Sequence, residues 1–294
     1  AHLGFALASP VLLLKEGTRK ITVSLSLNFQ SKIYPEKKQW QSQLQLFLSG
    51  EKDWIQPSGF DVIKAPSAAS EMLEFELTVD AAEKAIVPYE AKIHKERFNT
   101  NLPVLRILID AGSDDGYDTY AALAGTTVTN ATITVDVTGA KDLMLENDHG
   151  KIDPSKPFYP FGPVPGKKSN FFVGSAEIFQ KDWDHISLNI VWKDKPDNLK
   201  DYYKAYDSSF INNGNSNYDL SSTKSATNPV VTSNDYFTIT SQYIKNNRWY
   251  PEYANKEISL FTNPITIHHD ASDQPKAGVQ AISPVLMHKG IDAN

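Results

Sequence analysis

Cysteine is absent from this chain of 294 residues, which removes disulfide bridges, thiol catalysis and thiolate metal sites together. It does not set the compartment, because cysteine-free chains suit the cytosol and the exterior equally. A basic excess is also missing: 29 Lys and Arg face 35 Asp and Glu, for a formal net charge of -6. Nucleic-acid binding needs a clustered cationic surface, so no nucleic-acid partner is expected. No stretch approaches the roughly 20 apolar residues needed to cross a bilayer, so no membrane span is expected. There is no glycine-rich phosphate loop, no nucleophile elbow and no zinc-protease helix motif. Helical periodicity is scarce.

What is present is a globular composition, 40% hydrophobic and 22% charged, long enough for two domains. Period-two alternation dominates. Ile21, Val23, Leu25, Leu27 and Phe29 alternate with polar neighbours, and so do Leu44, Leu46 and Leu48. The same holds for Leu73, Phe75, Leu77 and Val79, and for Ile133, Val135 and Val137. This is the pattern of antiparallel strands with one wet face. Val104 to Ile109 reads as a more deeply buried strand. After Gly166 the alternation resumes with Ile186, Leu188, Ile190 and Trp192. The expected class is all-β with little helix: two antiparallel β-sandwich-like domains, 1–150 and 167–294, joined by a connector at 151–166. Residues 208–229, polar and rich in Asn and Gly, are expected to be a long surface loop. Two short helices are expected, one from Asp80 with Glu83 three residues on and ending before Pro88. The other lies behind Asp197, with Leu199, Tyr202, Tyr203 and Tyr206 at helical spacing.

The connector carries Phe158, Tyr159, Pro160, Phe161 and Pro163. Prolines favour stiff, extended backbone, and rings on a stiff segment bury large area at low entropic cost. The rings are expected to glue the connector onto one or both domains, fixing the angle between them. The most ligand-like cluster is His268, His269 and Asp270. Adjacent residues on a strand point to opposite faces, so a solvated strand end is favoured over a metal site. Asp110, Asp114, Asp115 and Asp118 do not match a calcium loop and read as an acidic turn. Glu146, Asn147, Asp148 and Asp153 around His149 could hold calcium at a domain junction, or simply form turns. Asn130 heads a glycosylation-type tripeptide where an alternating strand begins. Trp54, Trp183, Trp192 and Trp249 are residues a sugar-binding face would use, with core packing the default for Trp192. Paired carboxylates for glycoside hydrolysis are a spatial feature that one sequence does not display.

Several segments carry a resemblance. Gly4 to Leu27, Asn101 to Asp110, Val135 to Phe179 and Leu188 to Pro196 resemble, in the same order, segments of baseplate J-like proteins of bacterial phage-tail-like contractile injection systems. The likeness covers most of residues 3–205 and thins beyond them. It implies a non-enzymatic structural part built of β domains, acting through contacts with other baseplate or tail-assembly proteins and with further domains of its own longer chain. It brings no catalytic residues and no cofactor. It also implies assembly in the bacterial cytoplasm and residence in a tail-like particle that can be released outside the cell. Members are long chains, and the missing initiator Met and abrupt end lead us to expect a segment of one. No basic region precedes the apolar run before Lys15 and Glu16, so a removed signal peptide is not expected. The rival classes are a carbohydrate-binding or surface-adhesion module, which would present an exposed Trp or Tyr platform, and a β-sandwich glycoside hydrolase.

Overall fold

The computed structural model describes residues 3–110, 112, 116–166, 168–204, 231–245, 248–251 and 257–268. Two compact units partition the chain, Ala1–Leu145 and Glu146–Asn294. The 151–166 stretch falls within the second unit, and the 208–229 stretch lies outside the described residues.

The first unit runs β1 (Leu3–Ala8), a 3-10 turn at Pro10–Leu12, β2 (Thr18–Asn28), α1 (Lys37–Gln43) and β3 (Leu44–Ser49). It continues through β4 (Trp54–Ile55), β5 (Gly59–Lys64), β6 (Met72–Val79), α2 (Ala91–His94), β7 (Val104–Ile109), α3 (Gly116–Leu123) and β8 (Thr127–Thr138). Its strands make two four-stranded sheets, ordered β1-β7-β3-β4 and β5-β6-β2-β8. All neighbours are antiparallel. One apolar core holds Ile21, Val23 and Leu25 of β2 with Leu46 and Leu48 of β3, Phe75 and Leu77 of β6, and Leu105 and Ile107 of β7. The strict alternation of β2 and β6 produces this directly, since every second side chain meets the other sheet.

Arg19 is the exception in that core. It shares the inward parity of Ile21 and has no exposed surface. Its guanidinium donates to the carbonyls of Lys84 (2.8 Å), Asp80 (2.7 Å), Glu83 (3.0 Å) and Leu14 (3.5 Å). This overturns the expected helix from Asp80. The Asp80 carbonyl accepts from Glu83 N (3.0 Å) in a turn as well as from the arginine, those of Glu83 and Lys84 accept from the arginine, and Ile86 bridges to Leu14 and Gly50 instead of continuing a helix. Residues 80–83 form a turn, and the helix is one turn long, at Ala91–His94. Asp118, read as part of an acidic turn, sits in the first turn of α3.

β9 (Met144–Asn147) runs across the division between the units, and the second unit goes on with β10 (Gly150–Ile152), β11 (Phe171–Gly174), β12 (His185–Leu188), α4 (Leu199–Tyr202) and β13 (Thr238–Ile239). Then come β14 (Gln242–Lys245), β15 (Arg248–Pro251), β16 (Ile258–Ser259) and β17 (Ile265–His268). Its sheets are small: β10-β9-β11, and the pairs β12-β17, β13-β16 and β14-β15. In the helix expected behind Asp197, Asn198 is the cap, its side chain accepting from Asp201 N at 3.1 Å. The described part of that helix is one turn, and Tyr206 lies outside the described residues. Strands therefore dominate, with four short helices among the described residues. No described helix is long and apolar enough to cross a membrane.

One surface contact makes stability depend on pH. The Glu71 carboxylate accepts from Lys32 Nζ (2.7 Å), Tyr34 Oη (2.8 Å) and Phe29 N (3.2 Å), pinning the 29–34 segment to the start of β6. The hydrogen bond from Lys32, then that from Tyr34, holds its pKa below the ordinary glutamate value. A carboxylate with a depressed folded-state pKa adds stability above its unfolded pKa and loses it as pH falls through the folded value. Glu71→Gln is thus expected to lower the melting temperature at neutral pH, with the gap to the unmodified chain closing in acid. Melting curves between pH 7 and pH 2 check this; a gap that stays constant would contradict it.

Candidate functional site

The residues singled out in the connector meet the β9–β10 hairpin. Phe158 and Phe161 both pack on Phe171 of β11, with ring centroids 5.9 and 6.2 Å away. Tyr159 takes no part in that packing: the residue is 72% exposed, while its carbonyl accepts from Asn147 Nδ2 at 3.1 Å. Pro160 is half-buried and Pro163 exposed. Gly162 is required twice over, since its φ is +79° and a Cβ there would stand 2.4 Å from the His149 ring. Between hairpin and connector lies an open cleft of about 330 Å³, lined by His149, Lys151, Phe158, Tyr159 and Pro163 among others.

The polar residues of the hairpin serve its turns. Asp148 accepts from Asn170 N (2.8 Å) and Asn170 Nδ2 (3.0 Å), and Asn147 Oδ1 accepts from His149 N (2.9 Å). Asp153 Oδ1 accepts from Ser155 N and Oγ at 2.9 and 2.6 Å. The bonds from Asn170 hold the Asp148 carboxyl below the usual range, and those from Ser155 do the same for Asp153. These oxygens are occupied by the chain's own donors.

His268 closes β17 opposite His185 of β12, ring centroids 5.9 Å apart. His269 and Asp270 lie outside the described residues, as do Asp114 and Asp115. Among the described residues, no group of three or more His, Asp or Glu is placed to hold a metal ion. Trp192 packs on Phe261 (5.2 Å) and Trp183 on Tyr243 (5.3 Å), whereas Trp249 is 51% exposed on β15. Asn130 is exposed on β8.

Sequence reasoning missed a cluster on the outer face of the β1-β7-β3-β4 sheet. The Arg106 guanidinium lies 4.5 Å from both the Phe47 and the Trp54 ring centroids and pairs with Glu96. Burial lowers its pKa from the ordinary arginine value, against the pull of Asp53. Trp54 Nε1 donates to the His94 carbonyl (3.0 Å), and the buried His94 ring lies 3.0 Å from the Gly50 carbonyl. Beside this cluster is a cleft of about 370 Å³, bounded by Phe5, Gln45, Phe98 and Leu108 as well as Phe47 and Arg106. Glu96 is the carboxylate among its lining residues, and it is already paired. The signal was a lone charge inside an otherwise apolar strand, Val104 to Ile109.

These features define an all-β chain of two units, with a proline–aromatic segment packed onto the second. No protein-family model matches the chain, and no curated protein matches it.

Proposed function

We propose that this chain is a non-catalytic structural part of a phage-tail-like baseplate, working through protein contacts in a contractile injection system. The observation that carries the reading is the connector. Phe158 and Phe161 anchor it, while Tyr159 and Val164 stand 72% and 85% exposed on the same proline-stiffened segment. Apolar side chains held out on a stiff backbone favour docking of another protein, because little conformational entropy is lost on binding. The ordered likeness of residues 3–205 to baseplate J-like segments supports the same reading. The partners are other baseplate or tail-assembly proteins, and the place of action is the assembling particle. The test is genetic: a tagged chain should co-sediment with tail-like particles, and deletion of its gene should leave tubes and sheaths without functional baseplates. Particles that assemble and contract normally without it would refute the proposal.

A second reading, a carbohydrate-binding module, draws on the exposed Trp249, whose ring lies 5.9 Å from Phe172. Quenching of tryptophan fluorescence by surface oligosaccharides, lost in Trp249→Ala, would favour it over the baseplate assignment.

A further inference from the structure

The β8 strand ends its sheet, and among the described residues nothing pairs with its outer edge. An edge strand presents a row of unpaired N–H and C=O groups, and natural proteins blunt such edges with charges, prolines, bulges or short length. Two of the other three edges of the first unit's sheets are blunted, and the third, β1, is uncharged but only six residues long. β4 has two residues. β5 carries Asp61 and Lys64 and a register shift between Val62 and Lys64.

By contrast β8 is 12 residues long, the longest strand described, with Asp136 its one charge and no proline. Its one irregularity, opposite Ser26/Leu27, lies in the N-terminal third, leaving Asn130 to Thr138 as a continuous regular stretch. Much of it is bare: residues 127–132 are exposed, Val128 at 42%.

We propose that this edge pairs with the same edge of a second copy of the chain, fusing two four-stranded sheets into one antiparallel sheet across a two-fold axis. The occupant follows from self-complementarity. In an antiparallel pair of identical strands only residues facing the same way can be partnered, so the two-fold axis passes through a residue. The regular stretch 130–138 pairs in full only when that residue is Thr134, its midpoint.

This register sets like against like. On the face that continues the core side, Ile133 meets Val135 and Ala131 meets Val137 of the other copy. On the outer face Thr134 meets Thr134, Asn130 meets Thr138, and the Asp136 carboxylate meets the Thr132 hydroxyl. No like charges oppose each other, and aliphatic and Thr pairs are among the favourable cross-strand combinations. The proposal does not depend on the baseplate reading, since it rests on the edge alone.

Because the chain has no cysteine, single cysteines report the register cleanly. Thr134→Cys brings two sulfur-bearing residues directly opposite, at Cα separations of about 4.5 to 5.5 Å, within disulfide reach. Asn130→Cys places its two copies about 27 Å apart, at 3.4 Å per residue. Sedimentation of the purified 294-residue chain should show a dimer that dissociates on dilution. Mild oxidation should cross-link Thr134→Cys and leave Asn130→Cys uncross-linked. Thr134→Lys, a change at an exposed position, should weaken the dimer about tenfold by opposing two cations, with its circular dichroism unchanged and its melting unchanged at concentrations where the chain is monomeric. Thr132→Lys, facing Asp136 twice by symmetry, should keep or tighten the dimer. A chain monomeric at all concentrations, as when the edge serves a different protein, overturns the proposal. So does a Thr134→Lys dimer of undiminished strength, or cross-linking of Asn130→Cys as readily as Thr134→Cys.

Discussion

Arg19→Met is expected to destabilise the first unit by about 3 to 5 kcal/mol, comparable with breaking a buried charged pair. Methionine can fill much of the space, so cavity formation is the smaller part. The loss comes from the carbonyls of Glu83 and Lys84, which receive hydrogen bonds from the guanidinium, while those of Asp80 and Leu14 share it with the N–H groups of Glu83 and Ile86 and keep those donors. A buried acceptor stripped of its donor costs about 1 to 3 kcal/mol, discounted here because several belong to one turn that can relax together. A loss of this size is a large share of the usual 5 to 15 kcal/mol of a domain. Arg19→Lys should rescue little, since one ammonium cannot reproduce a planar fork reaching four oxygens. Denaturant unfolding of the three chains decides it. A cost under about 1 kcal/mol for Arg19→Met would show that the 80–84 turn holds without the arginine.

The double change Phe158→Ser and Phe161→Ser should loosen the second unit and spare the first. Full burial of a ring is worth about 2 to 3 kcal/mol, and both rings here are only partly covered, Phe158 being 38% exposed. With the edge-on and tilted contacts to Phe171 included, about 3 kcal/mol for the pair is a reasonable expectation. That is severe for a unit whose sheets have two or three strands. Hydrogen exchange locates the effect: amides of β9, β10 and β11 should exchange faster while those of β2 and β6 keep their protection. Uniform acceleration in both units, or none in either, would contradict the local anchoring role. Tyr159→Ser alone should change neither, because the residue is 72% exposed.

Strands with one buried face were readable because period two is a local property. The alternation at Ile21–Phe29 and Leu73–Val79 names its own inner face, and the structure buries those residues against one core. The alternation at Ile186–Trp192 also survives, with Val191 94% exposed between half-buried neighbours, although the paired strand stops at Leu188. The ring contacts of the connector were partly visible: phenylalanines among prolines announce burial, but not that Tyr159 would turn outward.

Composition, then, determined the absence of disulfide and thiol chemistry, and residue spacing determined the all-β class and the inward side of the main strands. Tertiary structure decided what depends on partners far along the chain. Arg19 has the parity of a core residue, yet only the distant 80–84 carbonyls make its burial tolerable and keep Asp80 from starting a helix. Arg106 lies in an apolar run, and only the rings of Phe47 and Trp54 with Glu96 make a site of it. The open edge of β8 depends on strand order, and strand order is set by pairings across more than a hundred residues, such as Ile21 with Val135. Period two tells which side of a strand is wet; it carries no information about which strand lies beside it.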